Sequence, residues 1–571
     1  MDAGKRFIND IFNGNRILEV PFFQRSYVWK EEQWERFLTD METVSEGDES
    51  YFMGAVILKQ EMTNASSVVG DRRLVIDGQQ RMTTLSILMK VLSLKTNRTP
   101  QFERQFMLLG GHPVLQHNHN DEEAYNKVMS LSEEMPLNGQ DGITKVYEYF
   151  RQHADVNKLN YEKICNKIQF VGIDLNYDED EQQIFDTINS LGVRLTTAEL
   201  LKNYFFGRNE LEDYNTNWLG VFEKDEETRA YWDREVTTGR LKRTFIDLFF
   251  YAFLLIKIQD SAYGVSTEDK IRFSKVDKLF ESYKAFIKKY ANGDKSSIFG
   301  EIRDYADVFH KKISDAILWQ DLSAKEGISR INTVMFGLDT MTLLPYVLFV
   351  EKNVDDEDAK NAIYGYLESY IMRRMVCQWP TKNYNRLFSE KLILNRVLTR
   401  EAMRQTLFEE NSSDNRMPSD EEVKEAFHTK ELINKYSAGV LYMIESRIRD
   451  RDKQSTTLLG LKKYSLEHMM PKKWRNHWNY DGATEAEKKE RDHILLTLGN
   501  LTIITQSLNI SVRDDSWEEK KKGNNSTGGL EKYSKGIETV SEYLNYPVWD
   551  ENTISERADY LAEKALEIWK A

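Results

Sequence analysis

Leu74-Val-Ile-Asp-Gly-Gln-Gln-Arg-Met-Thr-Thr-Leu85 runs from three apolar residues into an Asp-Gly turn, after which Leu85, Leu88, Met89 and Leu92 recur at helical spacing. A strand, a glycine turn and a helix are therefore expected in direct succession. Working outward, the apolar run Tyr51–Leu58 and the alternation of Val171, Ile173 and Leu175 predict further strands. Thr196 and Glu199 have the spacing of a capping box and announce another helix. Residues 1–215 thus read as an α/β domain. Residues 216–410 are rich in Leu, Phe, Tyr, Lys and Glu, with few prolines, and read as a helical middle. The polar stretch Glu409–Glu422 (EENSSDNRMPSDEE) is the expected linker. Residues 411–571 form the last domain, closed by an amphipathic helix near Ser555–Trp569. The expected fold class is multidomain α+β.

Composition bounds the function. A chain of 571 residues that is 40% hydrophobic and 12% aromatic can bury several cores, which excludes wholesale disorder. Its 78 Lys and Arg against 92 Asp and Glu give a net charge of −14, which excludes a generic polybasic nucleic-acid coat. Two distant cysteines, Cys165 and Cys377, exclude a disulfide framework and a Cys-rich zinc module, and point to a reducing compartment, the cytoplasm. The start MDAGKRFINDIF lacks the apolar core of a secretory signal. The most apolar helical stretch, Phe245–Ile258, contains Asp247 and Lys257, is too short to span a bilayer and reads as a buried helix, so no membrane partner is expected.

The strongest chemistry lies near the C-terminal end. Tyr464-Ser-Leu-Glu-His-Met-Met-Pro471 is a short strand-like run carrying Glu467 and His468. Asn500 follows inside Leu498-Gly-Asn-Leu-Thr-Ile-Ile504, and Asn509 leads into a charged helical segment through Lys522. An acid and a histidine on one strand, an asparagine on the next and another on a following helix suit a one-metal phosphodiesterase. Histidine takes a proton near neutral pH. A carboxylate and an amide oxygen suit Mg²⁺ (or Mn²⁺), which would stabilise charge at the scissile phosphate. A lone histidine before a proline turn is more often a packed residue; the joint pattern favours the chemical reading. Between Gly460 and Lys535 fourteen Lys and Arg stand against eleven Asp and Glu, a net +3 that leaves −17 on the rest of the chain. Polyanion contact would concentrate there.

A second constellation is Asp77-Gly-Gln-Gln-Arg81. A glycine turn opening a helix offers free backbone N–H groups, a natural phosphate seat. Gln79 and Gln80 add amide donors and acceptors, Arg81 a bidentate charge, and Asp77 a group that can hold a metal or orient water. It is not a Walker loop, because no G-x-x-x-x-G-K-[ST] occurs.

SLEHMMP, LGNLTIITQSLN and the trailing WEEKKK resemble the His-Me finger (HNH) nuclease fold, in the variety found in GmrSD-type (type IV) modification-dependent restriction endonucleases. The resemblance covers about 120 residues and implies a C-terminal ββα-metal domain. It implies His468 as general base, Glu467 and Asn509 as metal ligands, Asn500 as the brace that orients the histidine, and Lys520 as a basic residue near the DNA backbone. Many such enzymes have Asp before the histidine, where this chain has Glu467. Val20-Pro-Phe-Phe-Gln-Arg-Ser-Tyr-Val-Trp29, Tyr51-Phe-Met-Gly-Ala55, LVIDGQQRMTTL and Phe185-Asp-Thr-Ile-Asn-Ser-Leu-Gly-Val-Arg-Leu195 resemble the N-terminal ParB/sulfiredoxin-like domain of the same family. That likeness spans about 200 residues and implies nucleoside triphosphate binding and hydrolysis. By position Asp77, Gly78, Gln79, Gln80 and Arg81 are central, with Gln24 and Arg25 lining the cleft and Asn189 supporting it. The competing reading is that Gln24, Arg25 and Arg81 only tie elements together.

Weaker features are read as structural. His112, His117 and His119 are expected in a polar loop, and Asp178–Glu181 at a solvated helix start. Tyr27 and Trp29 suit core packing better than a base pocket, and Arg373, Arg374, Lys382 and Arg386 fit DNA contact or inter-domain packing equally. The resemblance implies the first two of three candidate functions, and the third is the alternative to them. The first is a restriction endonuclease cutting modified double-stranded phage DNA, for example with glucosylated hydroxymethylcytosine, under nucleoside triphosphate control. The second is a phosphorothioate-sensing nicking enzyme, and the third a nucleotide-gated DNA-binding regulator with a degenerate nuclease domain. A two-strand cut from one site per chain would require a homodimer or successive nicks.

Overall fold

The computed structural model describes residues 2–21, 24, 26–61, 71–118, 121–176, 197–206, 210–238, 241–409, 415–449, 457–478, 480–512, 514–523, 528–533 and 536–571. Arg25, His119, Asp178–Glu181, Asn189 and Thr196 lie outside them. The chain divides into two compact units, Met1–Tyr214 and Asn215–Ala571. No described helix is long and apolar enough to cross a membrane.

The first unit is built on a six-stranded mixed sheet of β1 (Asp2–Phe7), β2 (Arg16–Glu19), β3 (Tyr51–Gln60), β4 (Asp71–Asp77), β5 (Leu115–Gln116) and β6 (Ile168–Leu175) in the order β1-β6-β3-β4-β2-β5. β3 runs antiparallel to β4 and parallel to β6, while β2 pairs parallel with both β4 and β5. β4 ends at Asp77, Gly78 turns, and the helix Gln79–Lys95 begins at once. That helix is buried on nearly every side, including Thr83, Thr84, Ser86, Lys90 and Ser93, as expected of a central helix covered by sheet and helices together. Burial pushes the Lys90 ammonium down to about 8, and its charge rests over the Phe102 ring at 4.9 Å.

The second unit joins two regions that the sequence separates near residue 410. Arg330, 1% exposed, makes paired 2.7 Å bonds to Glu368 on the helix Glu357–Val376 and donates to Ser446 on the helix Asn434–Ile448. Trp569 Nε1 donates to the same Glu368 at 3.0 Å, and Arg373 donates to the Trp569 carbonyl at 2.6 Å. The described part of the expected linker, residues 415–422, is likewise fixed. Arg373 donates to the Pro418 carbonyl and pairs with Asp420, and Arg374 donates to the Arg416 carbonyl. The two arginines are therefore packing residues, and the helical middle and the C-terminal region share one core because buried guanidinium groups need partners from both. Two hairpins complete this unit: β7 (Glu235–Thr238) with β8 (Leu241–Thr244), and β9 (Tyr464–His468) with β10 (Leu501–Thr505). The apolar helix Phe245–Lys257 is buried over most of its length, and the last helix runs Glu551–Ile568.

Replacing Arg330 by Met leaves Glu368 buried with its strongest partner gone. The second unit should lose about 3–5 kcal/mol, measured by urea unfolding followed by tryptophan fluorescence.

Candidate functional site

The β9–β10 hairpin is antiparallel, with His468 opposite Leu501 and Glu467 opposite Thr502. Asn500, just before β10, is 0% exposed. Its Nδ2 donates to the carbonyls of Met470 and Leu495, both at 2.8 Å, and its Oδ1 accepts from the Met470 N–H at 2.8 Å and from Trp549 Nε1 at 2.9 Å. The Met469 N–H donates to the Asn500 carbonyl at 3.0 Å. Two donors and two acceptor positions of one amide are thus filled. Asn500 acts on His468 through the backbone of the two residues that follow it.

Arg557 holds the other side of the same turn. It is fully buried, and its Nη1 donates to the carbonyls of Leu498, Gly499 and Leu501 at 3.2, 2.8 and 2.8 Å. Trp549 and Arg557 are residues that motif reasoning missed. They lie some fifty residues downstream, with no periodic signal linking them to the hairpin; a buried-length tryptophan and a lone arginine on an otherwise apolar helix face were the only hints.

His468 is half-buried. Burial, aided by the Lys472 and Lys520 ammonium groups, holds its imidazole down to about 4, so the ring is neutral and able to accept a proton at neutral pH. Asn509 lies on the helix Gln506–Val512 and donates through Nδ2 to the Leu466 carbonyl at 3.1 Å. The Asn509 amide is thus anchored to the backbone of β9, two residues before His468. Its Oδ1 has no partner among the described residues and is available as an acceptor.

Glu467 and Lys520 form a buried ion pair, and Lys520 Nζ also donates to the His468 carbonyl at 2.8 Å. Burial raises the Glu467 carboxyl and lowers the Lys520 ammonium, and each charge opposes the drift of the other. Lys520 was expected to touch DNA. At 0% exposure it does not reach a phosphate; it ties the helix Trp517–Lys522 to the end of β9. The donor chemistry still fits a hard divalent ion, because a carboxylate offers about four lone-pair positions and one ammonium leaves room for more. Among the described residues no group of three or more His, Cys, Asp or Glu is gathered for a metal. Glu467 and the Asn509 amide oxygen would carry the protein's share.

In the first unit, Gly78 adopts φ +100°, and a Cβ there would lie 2.8 Å from Val56 Cγ2. The helix Gln79–Lys95 starts with no side-chain cap and no acidic residue in its first turn, an arrangement open to anions. Arg81 donates through Nη2 to the Ala55 carbonyl at 2.6 Å and pairs with Asp77 at 3.2 Å, while its buried Nε has no partner among the described residues. Gln80 and Gln24 differ from expectation. The Gln80 amide accepts from the Val28 N–H at 2.9 Å and donates to the Ser26 carbonyl at 3.3 Å; Gln24 Nε2 donates to the Ile76 carbonyl at 3.1 Å. These amides fasten the segment after β2 to the helix and to β4, because a loop crossing the sheet end must satisfy its backbone groups. Gln79 is buried. Arg25 and Asn189 belong to the residues not described.

The same segment is held from a second side. Asp121 accepts from the Tyr27 N–H at 2.7 Å, Asn118 donates to the Gln24 carbonyl at 2.6 Å, and the Tyr27 hydroxyl bonds Thr84 at 2.6 Å and accepts from Trp34 Nε1 at 3.0 Å. Tyr27 is a core residue, and Trp29 packs on Phe37. His117, expected in a polar loop, is instead buried against Thr83 at 3.0 Å. Burial pushes it down to about 3 and keeps it neutral.

Asn500→Ala would strand the Trp549 N–H and the Met470 backbone groups in the core. A loss of at least about 2 kcal/mol is expected, read in the same unfolding assay, with the His468 ring resonances shifted. Gly78→Ala combines a strained backbone with a clash on Val56, and should destabilise the first unit by about 1–3 kcal/mol, measured by hydrogen exchange of the Gln79–Lys95 amides.

No curated protein matches this chain. Two family models do: the N-terminal domain of the GmrSD restriction endonuclease over residues 8–206, and the C-terminal domain of GmrSD restriction endonucleases over residues 417–564. Both sites described above fall inside these matches, in their family order, and the chain belongs to the GmrSD restriction endonuclease family.

Proposed function

We propose that this restriction endonuclease cuts modified double-stranded DNA, such as glucosylated hydroxymethylcytosine DNA of phage, with Mg²⁺ or Mn²⁺ and under control of a nucleoside triphosphate bound by its N-terminal, ParB/sulfiredoxin-like domain. The observation that carries the reading is the HNH-like hairpin: a neutral, half-buried imidazole on β9, with a carboxylate one residue before it and the Asn509 amide tied to the backbone two residues before it.

His468 accepts a proton from the attacking water at its unprotonated ring nitrogen, which makes the oxygen nucleophilic as it meets phosphorus. Asn500 keeps that ring in place by fixing Met469 and Met470, and Arg557 fixes the opposing strand. Glu467 and Asn509 would hold a divalent ion, whose chemistry there would be charge stabilisation at the phosphate and the leaving oxygen. Lys520 maintains the Glu467 carboxylate and the carbonyl of His468 in register.

In the N-terminal domain, the first N–H groups of the helix Gln79–Lys95 and the Arg81 guanidinium attract phosphate oxygens, and Asp77 orients Arg81. Gln24 and Gln80 shape that cleft by tethering the segment above it.

Matched modified and plain DNA incubated with Mg²⁺ and nucleoside triphosphate tests the reading. Wild type should cut only the modified DNA. His468→Ala should lower the rate by about 10²–10⁴-fold, and Arg81→Ala should abolish nucleotide dependence. Equal cleavage by wild type and His468→Ala contradicts it. Intact phosphorothioate DNA that stimulates nucleotide hydrolysis would instead favour a sensing role.

A further inference from the structure

The strand that carries His468 is flanked by two lysine pairs, Lys462-Lys463 before it and Lys472-Lys473 after it, all four exposed. None makes an ion pair with a described carboxylate. Neighbouring cations behave differently: Arg475, Lys488, Arg491, Lys521 and Lys522 all hold carboxylate partners. In a chain of net charge −14, four unpaired lysines around one strand are a local excess that a polyanion would neutralise.

An aromatic group stands beside them. Trp319, at the end of the turn Asp315–Trp319, is 55% exposed, and Lys463 Nζ lies 5.0 Å from its ring centre. Its position is fixed by close backbone approach. A Cβ on Gly460 would sit 2.3 Å from the Trp319 carbonyl carbon and 2.5 Å from the Leu318 oxygen, so only glycine lets the entry to β9 lie against this turn. The Leu459 N–H donates to the Tyr464 hydroxyl at 3.1 Å, and Tyr442 reaches the Gln320 carbonyl at 3.3 Å, which ties both ends of the contact. A large indole left in water, rigidly held and next to free ammonium groups, has the make-up of a nucleic-acid contact.

We propose that Trp319 and the lysine pairs 462–463 and 472–473 form the surface on which the DNA backbone lies as it crosses β9, the lysines on phosphates and the indole against a deoxyribose. The proposal rests on the nuclease reading and deepens it: it assigns DNA contact to the helical region as well as to the hairpin, and replaces Lys520 as the basic group at the backbone.

The test is binding of a fluorescein-labelled duplex by the full chain in EDTA, across a salt series, alongside hydrolysis of bis(p-nitrophenyl) phosphate with Mn²⁺. Lys462→Gln/Lys463→Gln and Lys472→Gln/Lys473→Gln should each reduce the slope of log affinity against log salt by close to 2, about 0.9 per phosphate contact. Trp319→Ala should weaken binding roughly 5-fold with the slope unchanged, because an apolar and uncharged contact is lost. The Trp319 and Lys462/Lys463 variants should hydrolyse the small diester at the wild-type rate, which also shows that they fold. Slopes and affinities equal to wild type, with diester hydrolysis intact, would overturn the surface and leave the nuclease reading standing. Loss of slope with no hydrolysis of diester or DNA by wild type would support the surface and sink the nuclease reading.

Discussion

The hydrogen-bond saturation of one buried amide, Asn500, governs the geometry of the C-terminal site. Its side chain joins the residues after His468, the end of the preceding helix and the indole of Trp549, and it sits where water cannot replace any of them. Each bond adds only about 1 kcal/mol net, but each one left unmade in a dry core costs about 1–3 kcal/mol. The arrangement is therefore all-or-none. Arg557 does the same for the carbonyls on the other side of the turn. With both in place, the register of β9 against β10 is fixed, with His468 opposite Leu501.

The same economy of buried polar groups recurs in each unit. In the second, Arg330, Arg373 and Glu368 bind helices that the sequence separates by a polar stretch, and so make one core of the helical middle and the C-terminal region. In the first, Gln24, Gln80, Asn118 and Asp121 clamp the segment between β2 and the helix that follows it. That segment lies against the start of the Gln79–Lys95 helix, where Gln80 holds it. Positively charged and amide groups serve rigidity in these networks, and only a few are left over for ligands.

That distinction limits what the sequence reveals. β3, β4, β6 and the buried helix Phe245–Lys257 are legible because their apolar periodicity is local. β1 is not, since Asp2–Phe7 contains two cations, an acid and a glycine, and owes its strand state to pairing with β6. The hairpin is legible because Glu467, His468, Asn500 and Asn509 sit at short, ordered spacings. The roles of Lys520, Gln80 and His117 were not, because a sequence gives a residue's chemistry but not whether burial has already engaged it. The break near residue 410 is polar in composition, yet Arg373 and Arg374, some forty residues earlier, fix the chain on its far side.

The central claim is that Glu467 and the Asn509 amide oxygen share a divalent ion next to a neutral His468. Anomalous diffraction from crystals of the protein grown with Mn²⁺ tests it most directly. A peak bonded to the Asn509 Oδ1 and a Glu467 carboxylate oxygen, with the His468 ring facing it, is the expected result. A peak elsewhere, or none in this cleft at saturating Mn²⁺, would contradict the account.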